Sequence, residues 1–331
     1  METRTLGATG LAVSRLGLGL AALGRPGYIN LGHGADLSNN YAVAAMQEQT
    51  WAVLDRAWAG GVRYFDAARS YGRAEEFLGE WLRNRRLSPA DLTVGSKWGY
   101  TYTAGWRVEA AQHEIKDHTL PTFERQWPES SSQLGDYLCL YQVHSATLDS
   151  GLFENLEVLA ALVRLKEAGI AVGLSLSGPH QAAALAQALI CTVDGVRVFD
   201  CVQATWNLLE RSVGAQLEAA HKEGMGVIVK EALANGRLTE RNVEPAFAGQ
   251  LARLQNQAGR LDTSVDALAL AGVLAQPWAD VVLSGAATVA QIESNLGALA
   301  VQWDDEVEAA LAALEEPPAV YWGMRSQLPW N

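Results

Sequence analysis

At 331 residues, 49% hydrophobic and 19% charged, the chain is long enough for one large barrel or two smaller domains and has the composition of a soluble enzyme with a sizeable core. A formal net charge of -12 disfavours nucleic-acid and anionic-membrane partners, both of which need a basic face. Cys139, Cys191 and Cys201 are an odd number without CxxC spacing, which argues against a disulfide framework or a zinc site, so no metal centre is expected.

The chain opens on Met1-Glu2-Thr3-Arg4 without an apolar signal core, and no later run approaches membrane-spanning length, so a cytoplasmic protein is expected. No Pro/Gly/Ser-rich linker, charge block or low-complexity tract interrupts it, and residues 1–331 read as a single domain. In chain order, strand-like runs fall at 14–20, 62–67, 92–97, 137–144, 171–177, 201–206, 226–231 and 280–284. Most are apolar without polar alternation, as in strands buried on both faces of a parallel sheet. Helix-period segments at 42–59, 153–168, 180–190, 213–223, 264–275 and 289–299 alternate with them, and Gly60-Gly61, Gly169 and Gly224 stand just past helix ends. Eight such units predict an α/β fold, a single closed (β/α)8 TIM barrel with its site at the C-terminal strand ends.

Gly17-Leu18-Gly19-Leu20-Ala21-Ala22 fits GxGxxA, but Leu23-Gly24-Arg25-Pro26-Gly27 follows where a phosphate-cradling helix should begin, so it is not read as a dinucleotide fingerprint. The glycines are expected to let the first strand pass close to a ligand or to neighbouring backbone. Three long segments are expected to be loops on the active face: 24–40, 98–121 with Trp98, Tyr100, Tyr102 and Trp106, and the tail from 315, where Pro317-Pro318 ends the last helix and Tyr321, Trp322 and Trp330 follow. Trp98 and Tyr100 lead the second of these, and exposed-loop aromatics of this kind can also simply fold back onto the barrel.

Three consecutive predicted strands end in ionisable residues. Val62–Ala67 carries Asp66, with Tyr71 five residues on; Leu92–Lys97 ends in Lys97; Tyr137–His144 ends in His144. A lone Asp66 would usually cap or support the core and a lone His144 would usually be a satisfied strand-end histidine, but lysine closing an apolar strand is costly to bury unless paired. Three such groups on one rim with a phenol beside them form a catalytic constellation. An ammonium about 4 Å from the phenol, at an effective dielectric near 20, is worth about three pKa units, enough to bring Tyr71 from about 10 towards 7. Asp66 would then hold Lys97 charged and oriented, and neutral His144 would donate a hydrogen bond to a carbonyl oxygen. A strand-end lysine also suits a Schiff-base lyase, and that alternative stays open at this point.

These four residues, with the opening Leu6-Gly7-Ala8-Thr9-Gly10-Leu11-Ala12-Val13-Ser14 and the closing Gly285, Gln291, Asn295 pattern, make the chain resemble the aldo-keto reductases over most of its length. The resemblance implies a (β/α)8 barrel that interconverts small carbonyl compounds and alcohols with NADP(H) or NAD(H), through an Asp, Tyr, Lys, His tetrad at Asp66, Tyr71, Lys97 and His144. It also implies the alternative of a nucleotide-binding regulatory barrel with little turnover, and leaves the oligomeric state open. Ser175, in Gly-Leu-Ser-Leu where the family has Gly-Val-Ser-Asn, and Gln203 would bind the nicotinamide amide; Leu176 replaces the Asn. Lys230 stands in the place of the family's nicotinamide-stacking aromatic, so either it binds phosphate or Trp206 takes over the stacking. Leu233, Gly236 and Arg237 would line the pyrophosphate, and since the family's loops in these places wall the substrate pocket, Trp98 and Tyr100 would make it aromatic. Ser284, Gly285, Ala287, Gln291 and Asn295 would hold the adenosine end, beside a helix N-terminus near Thr288 suited to phosphate. Relatives that prefer NADPH commonly carry Lys or Arg at the position of Ala287, and no Lys or Arg occurs from Leu261 through Met324. Weak discrimination between NADPH and NADH is therefore expected.

Overall fold

The computed structural model describes residues 1–331. Eight parallel strands close into a barrel in chain order: β1 (Leu16–Gly19), β2 (Tyr64–Asp66), β3 (Thr93–Trp98), β4 (Leu138–Ala146), β5 (Ala171–Leu176), β6 (Cys201–Thr205), β7 (Gly226–Lys230) and β8 (Val281–Ser284). β8 pairs back onto β1 through Val282–Leu16, Leu283–Gly17 and Ser284–Leu18, so no edge is left open. Helices wrap the outside, and the main core, 62 buried residues dominated by Leu, Val and Ala, fills the layer between strands and helices. The predicted joints hold: Gly61, Gly169 and Gly224 take φ of 91°, 92° and 79°, the left-handed turn that glycine allows without Cβ strain as each helix hands over to a strand.

The antiparallel hairpin Thr3–Thr5/Ala12–Ser14 plugs the N-terminal end with Leu6, which joins Tyr64, Leu140 and Ile228 in a core inside the barrel. Gly17 makes room for this core, since a Cβ there would meet Tyr64 and Val281 side-chain carbons at 2.9 Å. Gly17 thus serves close side-chain packing, whereas Gly19 lines the cavity at the strand ends. No helix is long and apolar enough to cross a membrane, and all three cysteines are free thiols.

All three expected loops carry structure, and 24–40 includes the short helix His33–Asp36. Within 98–121, Tyr100–Tyr102 pairs antiparallel with Glu114–Lys116. Pro317-Pro318 does not end the last helix; it starts one, Pro318–Ser326, because a helix's first turn needs no N–H from proline and favours its fixed φ. The helix Leu120–Leu134 continues through Pro128. The tail helix packs Tyr321 and Trp322 into a second core of 15 buried residues and is fastened by Asn207 donating to the Tyr321 hydroxyl at 3.0 Å. That attachment brings Arg325 and Trp330 to the rim of the barrel.

Candidate active site

A cavity of about 590 Å3 opens at the C-terminal ends of the strands and runs from Tyr71 and His144 to the start of the helix Val289–Gly297. The strand period puts Lys97 inside the barrel and Trp98 outside. Trp98 is therefore no pocket wall: it is buried, with Phe123 edge-on at 5.1 Å and His118 at 5.9 Å. Tyr100, in the hairpin, does line the cavity, edge-on to His144 at 5.0 Å.

Asp66, Tyr71, Lys97 and His144 converge. The register sets Asp66 between Gly19 and Gly95, two neighbours without side chains, so its carboxylate reaches inward. Lys97 forms a buried ion pair with Asp66, and its Nζ also donates to the Ala67 carbonyl at 3.0 Å and to the Tyr71 hydroxyl at 3.5 Å. The second carboxylate oxygen of Asp66 accepts from Tyr64 (3.1 Å), Gln142 (3.2 Å) and Gln203 (2.9 Å). His144 Nε2 lies 3.4 Å from the Tyr71 hydroxyl and Nδ1 3.4 Å from Ser70 Oγ. Burial, then Lys97 and Arg25, push the His144 imidazolium well below the usual histidine range, so the ring is neutral. A neutral ring whose Nδ1 accepts from Ser70 carries its proton on Nε2, facing the cavity.

The acidity of Tyr71 departs from the simple charge argument. Burial first, and Asp66 second, push the phenol well above 10, with Arg25 the foremost group pulling it down. Treating Lys97 as an isolated cation overlooks both the desolvation of the phenol and the carboxylate paired to that cation.

The cofactor residues expected from the sequence divide. Lys230, Gln203, Leu233, Gly236, Ser284, Gly285, Gln291 and Asn295 line the cavity. Gln203 spends its amide N–H on Asp66, and Ser175 is buried with its hydroxyl accepting from the Ser145 amide at 2.8 Å. Trp206 is packed outside the barrel, edge-on to Trp278 at 5.5 Å, so it offers no stacking face to the cavity. Arg237 is turned away and paired with Glu316 of the segment preceding the tail helix (3.0 Å), where it fastens the tail. Ala287 is 1% exposed and hands its amide proton to Gln291 Oε1 at 2.8 Å, so its side chain does not face the cavity.

Lys230 donates to the Thr205 hydroxyl at 2.7 Å and lies 3.8 Å from Glu231. Burial, with Arg325 and Lys97 adding to it against Glu231, pulls its ammonium down to about 8. Burial opposes ionisation of Glu231, but Arg325 and Lys230 outweigh it and hold that carboxyl at about 2. Arg325 reaches Glu231 through Nε at 2.8 Å, and Glu231 sits at φ 56°, a strained left-handed conformation fixed by these contacts.

At the far end, Ser284 donates to Asn295 (2.7 Å), Asn295 to Asp266 (2.7 Å) and Gln291 to Asp36 (3.0 Å), while Arg241 reaches across to Asp36 at 2.7 Å. The lining residues Arg25, Asp36, Glu114, Glu231, Arg241 and Arg325 were not anticipated. They act through partners up to 205 residues distant, and no local spacing announces them.

The model of the Aldo/keto reductase family matches residues 15–316. The chain is 25% identical to the Bacillus subtilis oxidoreductase YqkF, over 90% of this chain and 91% of that protein. It is 26% identical to the Escherichia coli L-glyceraldehyde 3-phosphate reductase, over 90% and 88%. Among solved structures, the holo form of aldo-keto reductase AKR11C1 from Bacillus halodurans superposes with a TM-score of 0.73 at 22% identity, covering 96% of this chain and 97% of that one.

Proposed function

The chain belongs to the aldo/keto reductase family and is an NAD(P)-dependent oxidoreductase acting on small carbonyl compounds, and from that premise we propose that Tyr71 is its general acid and base. The observation that carries this is the convergence on one hydroxyl of Lys97 at 3.5 Å and neutral His144 at 3.4 Å, in the wall of the cavity at the strand ends. In reduction, His144 Nε2–H donates to the substrate carbonyl oxygen and Tyr71 supplies the proton that turns this oxygen into a hydroxyl; in oxidation, the proton returns to Tyr71. Lys97 points its N–H bonds at Asp66, Ala67 and Tyr71, which leaves it no free lone pair for a Schiff base.

Nicotinamide dinucleotide fits the rest of the cavity. Asn235 lines it with a buried side-chain oxygen that has no partner, and the helix N-terminus capped by Thr288 offers amide N–H groups to phosphate. Gln203 and Lys230 would flank the nicotinamide, Leu233 and Gly236 the pyrophosphate, and Ser284, Gly285, Gln291 and Asn295 the adenosine. When bound, the cofactor supplies or accepts the hydride. Asp36 and Asp266 put carboxylates at the adenosine end and Arg241 is already paired, which supports use of NADH at least as readily as NADPH.

The substrate end combines the rings of Tyr28, Tyr100 and Trp330 with the ion pair Arg325–Glu231. Flat apolar faces edged by charged hydrogen-bonding groups suit a polyhydroxylated aldehyde or its cyclic hemiacetal, and relatives named for L-glyceraldehyde 3-phosphate and L-galactose support that substrate class. A panel of aldoses and simple alkyl aldehydes, followed by NADH and NADPH absorbance in both directions, tests it. Higher kcat/KM for the aldoses is expected; higher values for the alkyl aldehydes would contradict the polyhydroxyl reading.

A further inference from the structure

We propose that the Arg25–Glu114 ion pair tunes the acidity of Tyr71, with Arg25 a positioning residue that works through the phenol and not on the substrate. This rests on the reading of Tyr71 as acid and base. The guanidinium of Arg25 lies 5.2 Å from the centroid of the Tyr71 ring, and its Nη1 donates at 3.0 Å to the carbonyl of Ser70, the residue immediately before Tyr71. Two more rings enclose it, Trp330 at 4.8 Å and Tyr28 at 5.4 Å, and the side chain is only 3% exposed. Its Nε is buried without a partner, so the site holds the cation by its aromatic cage, one backbone carbonyl and Glu114.

A cation near an aromatic ring favours the more electron-rich form, and a tyrosinate is richer than a phenol. Lys97 is the nearer cation to the hydroxyl, but it is joined to Asp66, the leading charge that keeps the proton on the phenol. The charged or titratable groups facing Tyr71 are Asp66 and Lys97 from β2 and β3, His144 from β4, Arg25 and Tyr28 from the loop after β1, Glu114 from the hairpin after β3, and Glu231 after β7. Of these, Arg25 leads in drawing the proton off, while Asp66, Glu114 and Glu231 hold it on. Glu114 both anchors Arg25 and opposes it, so the two partners of one ion pair act on the phenol with opposite signs.

Opposite signs make the assignment testable without knowing the physiological substrate. Ionisation of Tyr71 is read directly as the ultraviolet tyrosinate absorbance that wild type has and Tyr71→Phe lacks, and kinetically as the alkaline fall in reduction of glyceraldehyde. Removing the cation in Arg25→Met should move both transitions up by about one pH unit, and neutralising the anion in Glu114→Gln should move them down by a similar amount. Arg25→Lys should return them towards wild type. Transitions that stay put, or move in the same direction in both variants, would overturn the assignment; a packing role alone would lower rates at every pH without opposed shifts. Glu114→Gln preserves shape and decides the question alone if Arg25→Met does not fold. Near wild-type turnover in Tyr71→Phe would instead remove the acid-base reading, while the absorbance titration would still report on the ion pair.

Discussion

The catalytic rim and the cofactor-and-tail half of the same cavity are built in different ways. At the rim, Asp66, Lys97 and His144 are placed by three adjacent barrel strands whose register admits little variation, and Tyr71 follows one of them within five residues. Across the cavity, Asp36, Arg241, Glu231, Arg325, Arg237 and Glu316 stand on loops and on the tail, and ion pairs between segments far apart in sequence hold them. Strand geometry makes the first region rigid by construction, whereas the second is only as ordered as its side-chain contacts.

Breaking the rim should cost most. Lys97→Met leaves the Asp66 carboxylate buried without its cation, and removing one partner of a buried pair typically destabilises by about 3–5 kcal/mol. Denaturant unfolding should show a loss of that size together with collapse of turnover, and unchanged stability would mean that the pair is not the support described. In the other half, Arg325→Met should loosen the tail at a cost of about 1–3 kcal/mol, the range for losing charged hydrogen bonds. The expected signature is faster proteolysis near the C-terminus and a raised KM with hydride transfer largely retained; a tail as protease-resistant as wild type would count against the tether.

The far end offers a finer test. Asp36→Asn removes the carboxylate that Arg241 and Gln291 share and frees the guanidinium for a 2′-phosphate, so relative affinity should swing towards NADPH by about tenfold, or about 1.4 kcal/mol. Fluorescence titration of both cofactors checks this, and an unaltered ratio would place the adenosine ribose elsewhere. A further test is global. His33 and His118 are buried and held neutral, their imidazoles pushed down to about 4 by burial. Their folded pKa lies below the unfolded value of about 6.5, so the unfolded chain takes up protons that the native state refuses and stability falls as pH drops from about 6.5 towards 4. Chemical denaturation across that window should show the decline, and His118→Gln should make it shallower.

The same contrast governs what could be read from the sequence. Apolar runs closed by Asp66, Lys97 and His144 announce the barrel and its rim because strand order alone decides where those ends meet. Trp98 was misplaced because the side-chain period, not proximity to Lys97, decides which face a residue takes. Trp206 and Arg237 sit in the right stretches but point away from the cavity, one onto Trp278 and the other onto Glu316. Arg325 stands one residue beyond the stretch without Lys or Arg that runs from Leu261 through Met324, on a helix hidden by the reading of Pro317-Pro318 as a terminator. Its role depends on a contact with Glu231, 94 residues away, which no local pattern encodes.

Hydride transfer in a single turnover of Tyr71→Phe, measured beside cofactor affinity by fluorescence titration, tests the central claim most directly. The hydroxyl between Lys97 and His144 is the atom on which the proposed chemistry turns. The account predicts a fall in the transfer rate on the order of 10²–10⁴ with cofactor affinity essentially unchanged. A folded variant that binds cofactor and transfers hydride at near the wild-type rate would contradict it.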